Sequence, residues 1–281
     1  MLLMLIRVMK CNLIVAGFAK CGTSSLHEYL DLHPQVCMSS EKEPHYFSVT
    51  KKRERGLDWY NSLFENADEQ VSVFGESSTS YAVWEPSLVR IRQEVENPKM
   101  ILILRDPLER LLSHYRWMYA LGKEKLSLDA ALRAEERSVV SPDVHRGGCY
   151  PWYRRTSNYS YFIPLTEMIF GRENVLLLKS EELARSPQEV LDRCFDFLNL
   201  QPFTLNNQIR SNATVDKRVG RFSALSRVLQ PMPGIVKEPL KQLRDIVGLG
   251  ARKRVAPMPS ETTLSHLRAE LELDFQKYKE V

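Results

Sequence analysis

The chain lacks most of the features that assign a protein to a specialised class. Charge of either sign is not in excess: 39 Lys and Arg face 35 Asp and Glu in 281 residues, a net charge of +4. No basic block stands apart from acidic neighbours. That argues against a nucleic-acid partner and leaves small anionic ligands open. Cysteine is sparse, with Cys11, Cys21, Cys37, Cys149 and Cys194 forming no C-x-x-C pair and no Cys/His metal spacing. The expectation is reduced thiols, no bound metal and a cytoplasmic location. No run reaches the ~18 apolar residues of a membrane helix. The apolar start, MLLMLIRVMK, is broken by Arg7 and Lys10 and carries no small-residue cleavage site, so no signal peptide is expected. Internal repeats and low-complexity tracts are absent.

What is present is an alternation of short apolar runs and amphipathic stretches. NLIVA (12–16), QVCMS (35–39), VSVFGE (71–76), MILILRD (100–106) and the apolar part of ENVLLLKSEEL read as strands. Between them, SSLHEYLDLHP, GLDWYNSLFEN, PLERLLSHYRWMYAL, SLDAALRAEER, YFIPLTEMIFG and SPQEVLDRCFDFLNL read as helices. Pro107 sits at a favoured first helical position, and Ser186 with Glu189 spells a capping box. A last helix, SETTLSHLRAELELDFQKYKEV, starts from a cap at Ser260. This pattern predicts an α/β fold, a P-loop-like three-layer sandwich with a central parallel sheet flanked by helices. One domain over 1–281 is expected, with 1–11 an N-terminal extension, 12–200 the core and 201–281 C-terminal loops and a helix.

The first strand runs into GFAKCGTSS, Gly17 to Ser25. The stretch nearly spells a Walker A loop, but no lysine follows Gly22 and Lys20 sits on the loop crest instead. A strand, a glycine turn and a helix point backbone N–H groups at a phosphate, so Ala19, Lys20, Cys21, Gly22, Thr23, Ser24 and Ser25 are candidate phosphate ligands. Two further stretches carry chemistry. In ILILRDPLERLLSHY, Arg105 ends the strongest strand, where open α/β sheets bind ligands, and Ser113 lies two turns into the next helix. The pair is suited to a second anionic group. HPQVCMSSEKEPHYF places Glu41, Lys42, Glu43 and His45 together, within reach of the outer end of a loop ligand. Each stretch alone also reads as ordinary structure: a plain strand–helix turn, an Arg105–Asp106 pair, a solvated charged loop. Trp152, Tyr153, Tyr159 and Tyr161 read either as a sugar or adenine platform or as a partly buried loop.

Taken in order, these three stretches resemble the sulfotransferases that use 3′-phosphoadenosine-5′-phosphosulfate (PAPS). GFAKCGTSSLHEYLDLHP resembles their 5′-phosphosulfate loop. EKEPHYF resembles the K-E-P-H-[FY]-F segment of the glycan-modifying branch, which includes heparan sulfate sulfotransferases and bacterial-type relatives. LRDPLERLLSHY resembles the 3′-phosphate segment R-[DN]-P-x-x-R-x-x-S-x-[YF]. The resemblance covers about residues 12–200. It implies transfer of a sulfuryl group from PAPS, leaving 3′-phosphoadenosine-5′-phosphate (PAP), to a hydroxyl or amine of a carbohydrate or other small acceptor, with no metal required. It implies Lys20 as the group that stabilises the leaving phosphate and Glu43 as general base, with His45 second and Glu41 third. Arg105 and Ser113 match the 3′-phosphate ligands. Lys217, Arg218 and Arg221, in DKRVGRFS, are candidates to close over it, or a solvated basic loop. GESSTSYAVW departs from the glycan branch, with Ser77 where a lysine is often found. Protein tyrosine sulfation, a P-loop kinase-like phosphotransferase and a non-catalytic nucleotide-binding module are the competing readings. The sequence leaves the acceptor and the oligomeric state open.

Overall fold

The computed structural model describes residues 9–137, 151–205 and 255–279. The chain divides into one unit of Met1–Phe203 with Ala256–Val281 and a second unit, Thr204–Val255. The first unit carries everything described below.

Five parallel strands form its centre: β1 (Leu13–Gly17), β2 (Val36–Met38), β3 (Val73–Ser77), β4 (Lys99–Leu104) and β5 (Val175–Lys179). Their order across the sheet is β2-β3-β1-β4-β5. β1 and β4 are apolar runs because both faces of the sheet are covered; Leu13 to Ala16 and Met100 to Leu104 are all fully buried. Helices occupy the crossovers: α1 (Thr23–Leu30), α2 (Thr50–Arg53), α3 (Gly56–Ser62), α4 (Glu85–Glu94), α5 (Pro107–Ala120), α6 (Leu128–Glu136) and α7 (Tyr159–Phe170); α8 (Ser180–Arg185) and α9 (Pro187–Phe197) follow β5. The late helix is α10 (Glu261–Phe275), capped by Ser260, whose Oγ accepts the Thr263 N–H. α10 lays Leu267 and Leu271 into an apolar cluster with Leu111, Leu112 and Tyr115 of α5 and Leu128 and Leu132 of α6. The expected P-loop-like α/β architecture is therefore the observed one.

One local expectation fails. Ser186 precedes α9, but its side chain makes no cap bond to Glu189. The residue also ends α8, with its N–H bound to the Glu182 carbonyl at 2.7 Å. Serving two helix ends leaves it at φ −132° and ψ 67°, outside the extended geometry a capping serine adopts.

Candidate functional site

β1 is the central strand, and its carboxyl end sets the first wall. Gly17 ends it because there is no room for a side chain: a Cβ would lie 2.9 Å from the Ala82 Cβ. The chain then turns tightly, with the Cys21 N–H on the Phe18 carbonyl at 3.2 Å. Lys20 takes φ 73° and Gly22 φ 98°. Gly22 is the N-cap of α1; it supplies no side chain to the first N–H groups, and the first turn holds no acidic residue. That helix end retains its partial positive charge for a ligand.

The neighbour β4 delivers Arg105 just beyond its end. The Arg105 guanidinium donates to the Lys20 carbonyl at 3.4 Å, fastening the crest of the loop, and faces Glu109 at 3.4 Å. Asp106 is otherwise engaged as N-cap of α5, accepting the Glu109 N–H at 2.8 Å. Ser113 and Trp117 follow one helical turn apart on α5, on one face. The Lys20 ammonium sits over the Trp117 ring, 5.2 Å from its centre.

The other neighbour, β3, delivers the opposite chemistry. Its last residue, Ser77, and the Ser78-Thr79-Ser80 that follow form a clamp of hydroxyl and backbone groups. The Ser77 carbonyl accepts the Glu43 N–H at 2.9 Å. Ser78 Oγ accepts the His45 N–H at 3.1 Å. Thr79 donates both its N–H and its hydroxyl to the Glu43 carboxylate, each at 3.0 Å. Ser80 Oγ lies 3.0 Å from His45 Nδ1. The clamp holds Glu43 at φ 58° and His45 at φ 55°. Left-handed backbone costs a non-glycine residue of order 1–2 kcal/mol. Among the described residues only Lys20, Glu43, His45, Asn97 and Asn199 pair a side chain with positive φ. Asparagine tolerates that region well. The other three are the candidate catalytic residues.

Electrostatics sort these groups into roles. Burial works against ionising Glu43, but Lys42 at 3.1 Å, His45 and the Thr79 N–H outweigh it and hold its carboxyl below the ordinary range. Burial pushes His45 down, with Lys42 adding to it against the pull of Glu43, so the ring behind the carboxylate is neutral. Its Nε2 lies 3.4 Å from Glu43 Oε2. Deeper still, burial raises Glu76 to about 7, although the hydroxyls of Ser78 and Tyr60 donate to it at 2.7 and 3.2 Å.

One cleft of about 670 Å³ gathers the result. Lys20, Thr23, Glu43, Arg105 and Ser113 line it, with Ala19, Gly22 and Ser24 of the loop, and Lys42, Thr79, Trp117 and Ser180. Cys21 and Ser25 do not. The Cys21 thiol is buried beside the Tyr159 hydroxyl, and burial pushes it up to about 11. His45 reaches the cleft only through Glu43. Glu41 turns away to pair with Lys52 at 2.5 Å. Lys217, Arg218 and Arg221 lie outside the described residues. Trp152, Tyr153 and Tyr159 are buried in the core and form no platform, while Tyr161 is exposed. Among the described residues, no group of three or more His, Cys, Asp or Glu could hold a metal ion.

The sulfotransferase domain model matches residues 10–226. The chain belongs to the sulfotransferase domain family. It is 27% identical over 249 residues to mouse heparan sulfate glucosamine 3-O-sulfotransferase 3A1, covering 83% of this chain and 58% of that protein. It is 38% identical over 108 residues to membrane-associated sulfotransferase kil1 of Dictyostelium discoideum, covering 38% of this chain and 22% of the other. Among solved structures, a sulfotransferase from Alicyclobacillus acidocaldarius superposes with TM-score 0.59 at 28% identity, over 76% of this chain and 95% of that one. The chain thus spans little more than half of the mouse relative's length. Within this sulfotransferase domain, Thr79, Trp117 and Ser180 are cleft residues that sequence reasoning missed. Four consecutive hydroxylated residues directly after a strand were the one readable signal for the clamp.

Proposed function

We propose that the protein transfers a sulfuryl group from PAPS to a hydroxyl of a carbohydrate acceptor. The observation that supports this best is the meeting of Lys20, Glu43, Arg105 and Ser113 in one cleft, brought there from three strand ends. The donor set suits PAPS by its chemistry: hydroxyls of Thr23 and Ser24 at an uncapped helix start for one phosphate, a guanidinium and a hydroxyl for another. When bound, PAPS supplies an activated sulfuryl group and a phosphate leaving group.

The chain's own residues then divide the work. The N–H groups opening α1, with Thr23 and Ser24, hold the 5′-phosphate. Arg105 and Ser113 receive the 3′-phosphate and select against nucleotides that lack it. Lys20 places a positive charge where negative charge grows on the leaving oxygen. Glu43, ionised and oriented by Thr79, takes the proton of the acceptor hydroxyl. Neutral His45 fixes the carboxylate from behind. A sulfate ester carries less charge than a terminal phosphate, so this arrangement calls for positioning and a single cation. The likeness to the heparan sulfate glucosamine 3-O-sulfotransferase supports a carbohydrate hydroxyl as acceptor.

Calorimetry with PAP in the presence of a chelator tests the donor. Binding is expected without divalent metal; binding of ATP with Mg²⁺ alone would overturn the reading. Labelled PAPS offered to sugars, phenols and peptides tests the acceptor, and label on tyrosine peptides alone would replace the carbohydrate with a protein substrate.

A further inference from the structure

Arg110 lies on α5, between Arg105 and Ser113, and belongs to none of the roles above. It is fully buried. Its Nε donates to Ser157 Oγ at 2.8 Å and its Nη2 to the Tyr153 carbonyl at 2.6 Å. Nη1 reaches the Ala19 carbonyl and His114 Nδ1, both at 3.5 Å. Every acceptor is neutral. Guanidinium does not deprotonate in proteins, and a buried charge is ordinarily paired with an opposite one. Among the described residues no carboxylate forms an ion pair with Arg110. Glu135 meets the same turn at its backbone, accepting the N–H groups of Tyr153, Arg154 and Arg155. The charge is felt in the loop: Arg110 draws the Cys21 thiol down against burial and, with burial and Lys20, keeps His114 well below its usual range.

We infer that Arg110 is a positioning residue that carries a fixed positive charge behind the phosphate loop, a charge the phosphate-bearing ligand answers. It holds the Ala19 carbonyl from beneath and lends the cradle a charge that water does not screen. The ligand class this selects is a polyanionic phosphate. The inference rests on the reading of Gly17–Ser25 as a phosphate cradle, but not on the identity of the nucleoside.

The test uses the full chain, with PAP and, separately, inorganic pyrophosphate as probes, in calorimetry on the unmodified protein and three variants. Arg110→Gln keeps a polar side chain and removes the charge; both probes should bind about tenfold more weakly, a change of about 1.4 kcal/mol. Arg110→Lys keeps the charge and loses the fork; binding should stay within about threefold. Ser157→Ala removes the acceptor of the Arg110 Nε–H, together with that hydroxyl's bonds to the Pro107 and Tyr153 carbonyls, and leaves the charge in place; it should bind within about twofold. Unchanged binding in Arg110→Gln overturns the inference. So does an equal loss in Arg110→Lys or Ser157→Ala, because geometry rather than charge is then the cause. Where Arg110→Gln does not fold, Arg110→Lys decides through pH, because a buried lysine can lose its proton and arginine cannot: its PAP affinity relative to the unmodified protein should fall as pH rises, and a ratio that does not change with pH overturns the inference. Pyrophosphate binding without PAP binding defeats the proposed donor, yet still judges Arg110. Failure of both probes on the unmodified protein defeats both.

Discussion

Replacing Thr79 with valine isolates one term in the tuning of the proposed base. Thr79 gives Glu43 two donors, an N–H and a hydroxyl, each at 3.0 Å. The substitution keeps shape and the N–H and removes the hydroxyl. A hydrogen bond to a charged group contributes about 1.5–3 kcal/mol. Glu43 is 28% exposed and keeps Lys42 at 3.1 Å, so the lower end of that range applies. About 1.4 kcal/mol is one pKa unit. The sign is fixed: Glu43 is held below its ordinary value, the lost donor favoured the ionised form, and its removal moves the carboxyl upward. Activity requires the ionised form, so the acidic limb of kcat/KM against pH should move up by about one unit. Turnover on the plateau should change little. The assay is initial-rate transfer from PAPS between pH 4 and 8, with Glu43→Gln as reference, expected to lose ~10²-fold or more. An acidic limb that stays in place in Thr79→Val, while Glu43→Gln is inactive, would refute the claim that this hydroxyl tunes the base. An active Glu43→Gln with a dead His45→Ala would move the role to His45.

Three further outcomes follow from the same geometry. Arg105→Ala should weaken PAP about 10- to 100-fold while leaving adenosine 5′-phosphate nearly unchanged, as loss of a charge-assisted contact to one phosphate requires; competition calorimetry reads the ratio. Trp117→Ala removes the ring beneath the Lys20 ammonium and should weaken PAP about two- to fivefold, the range of an exposed cation–π contact; a larger loss would mean that the indole also shapes the cleft. Glu76, raised to about 7, contributes stability that is full below its unfolded value of 4.5 and is lost as pH rises toward 7. His27, lowered to about 4, works in the opposite sense: its contribution is full above 6.5 and lost as pH falls toward 4. His45 and His114, also held low, act in the same sense as His27, so Glu76→Gln should make the urea midpoint climb more steeply with pH between 4.5 and 6.5 than it does in the unmodified protein, and an unaltered profile would sink the assignment.

The sheet was legible because its signal is long and redundant. Apolar runs at β1 and β4 can only be strands covered on both faces, and the loop and helix after each are marked by Gly22 and Pro107. The residues of the proposed phosphate side were legible for a related reason: they are local to strand ends, where topology alone predicts a ligand. On the proposed acceptor side Glu43 was legible but its setting was not. Thr79 meets Glu43 across 36 residues of sequence, and Trp117 is an ordinary helix aromatic until the loop places Lys20 over it. Cys21 and Ser25 share the loop's spacing but do not line the cleft: Cys21 precedes the helix and is buried beside Tyr159, and a helix start exposes only part of its circumference. The Ser186–Glu189 box misled because a motif specifies one helix end and here one residue serves two.

The order β3-β1-β4 has a consequence for how such a site could diversify. The proposed base is clamped to the tail of β3, the loop rides on β1, and Arg105 follows β4. Adjacent strands are kept about 4.8 Å apart by backbone hydrogen bonds that no side chain can alter. The sheet is thus a ruler, and the separation between the proposed proton acceptor and the proposed leaving-group cation is ruled in units of strand spacing. Segments that meet the acceptor can be exchanged, lengthened or redecorated without re-spacing the chemistry, so new substrates can be acquired at the rim while the reaction stays registered to the backbone.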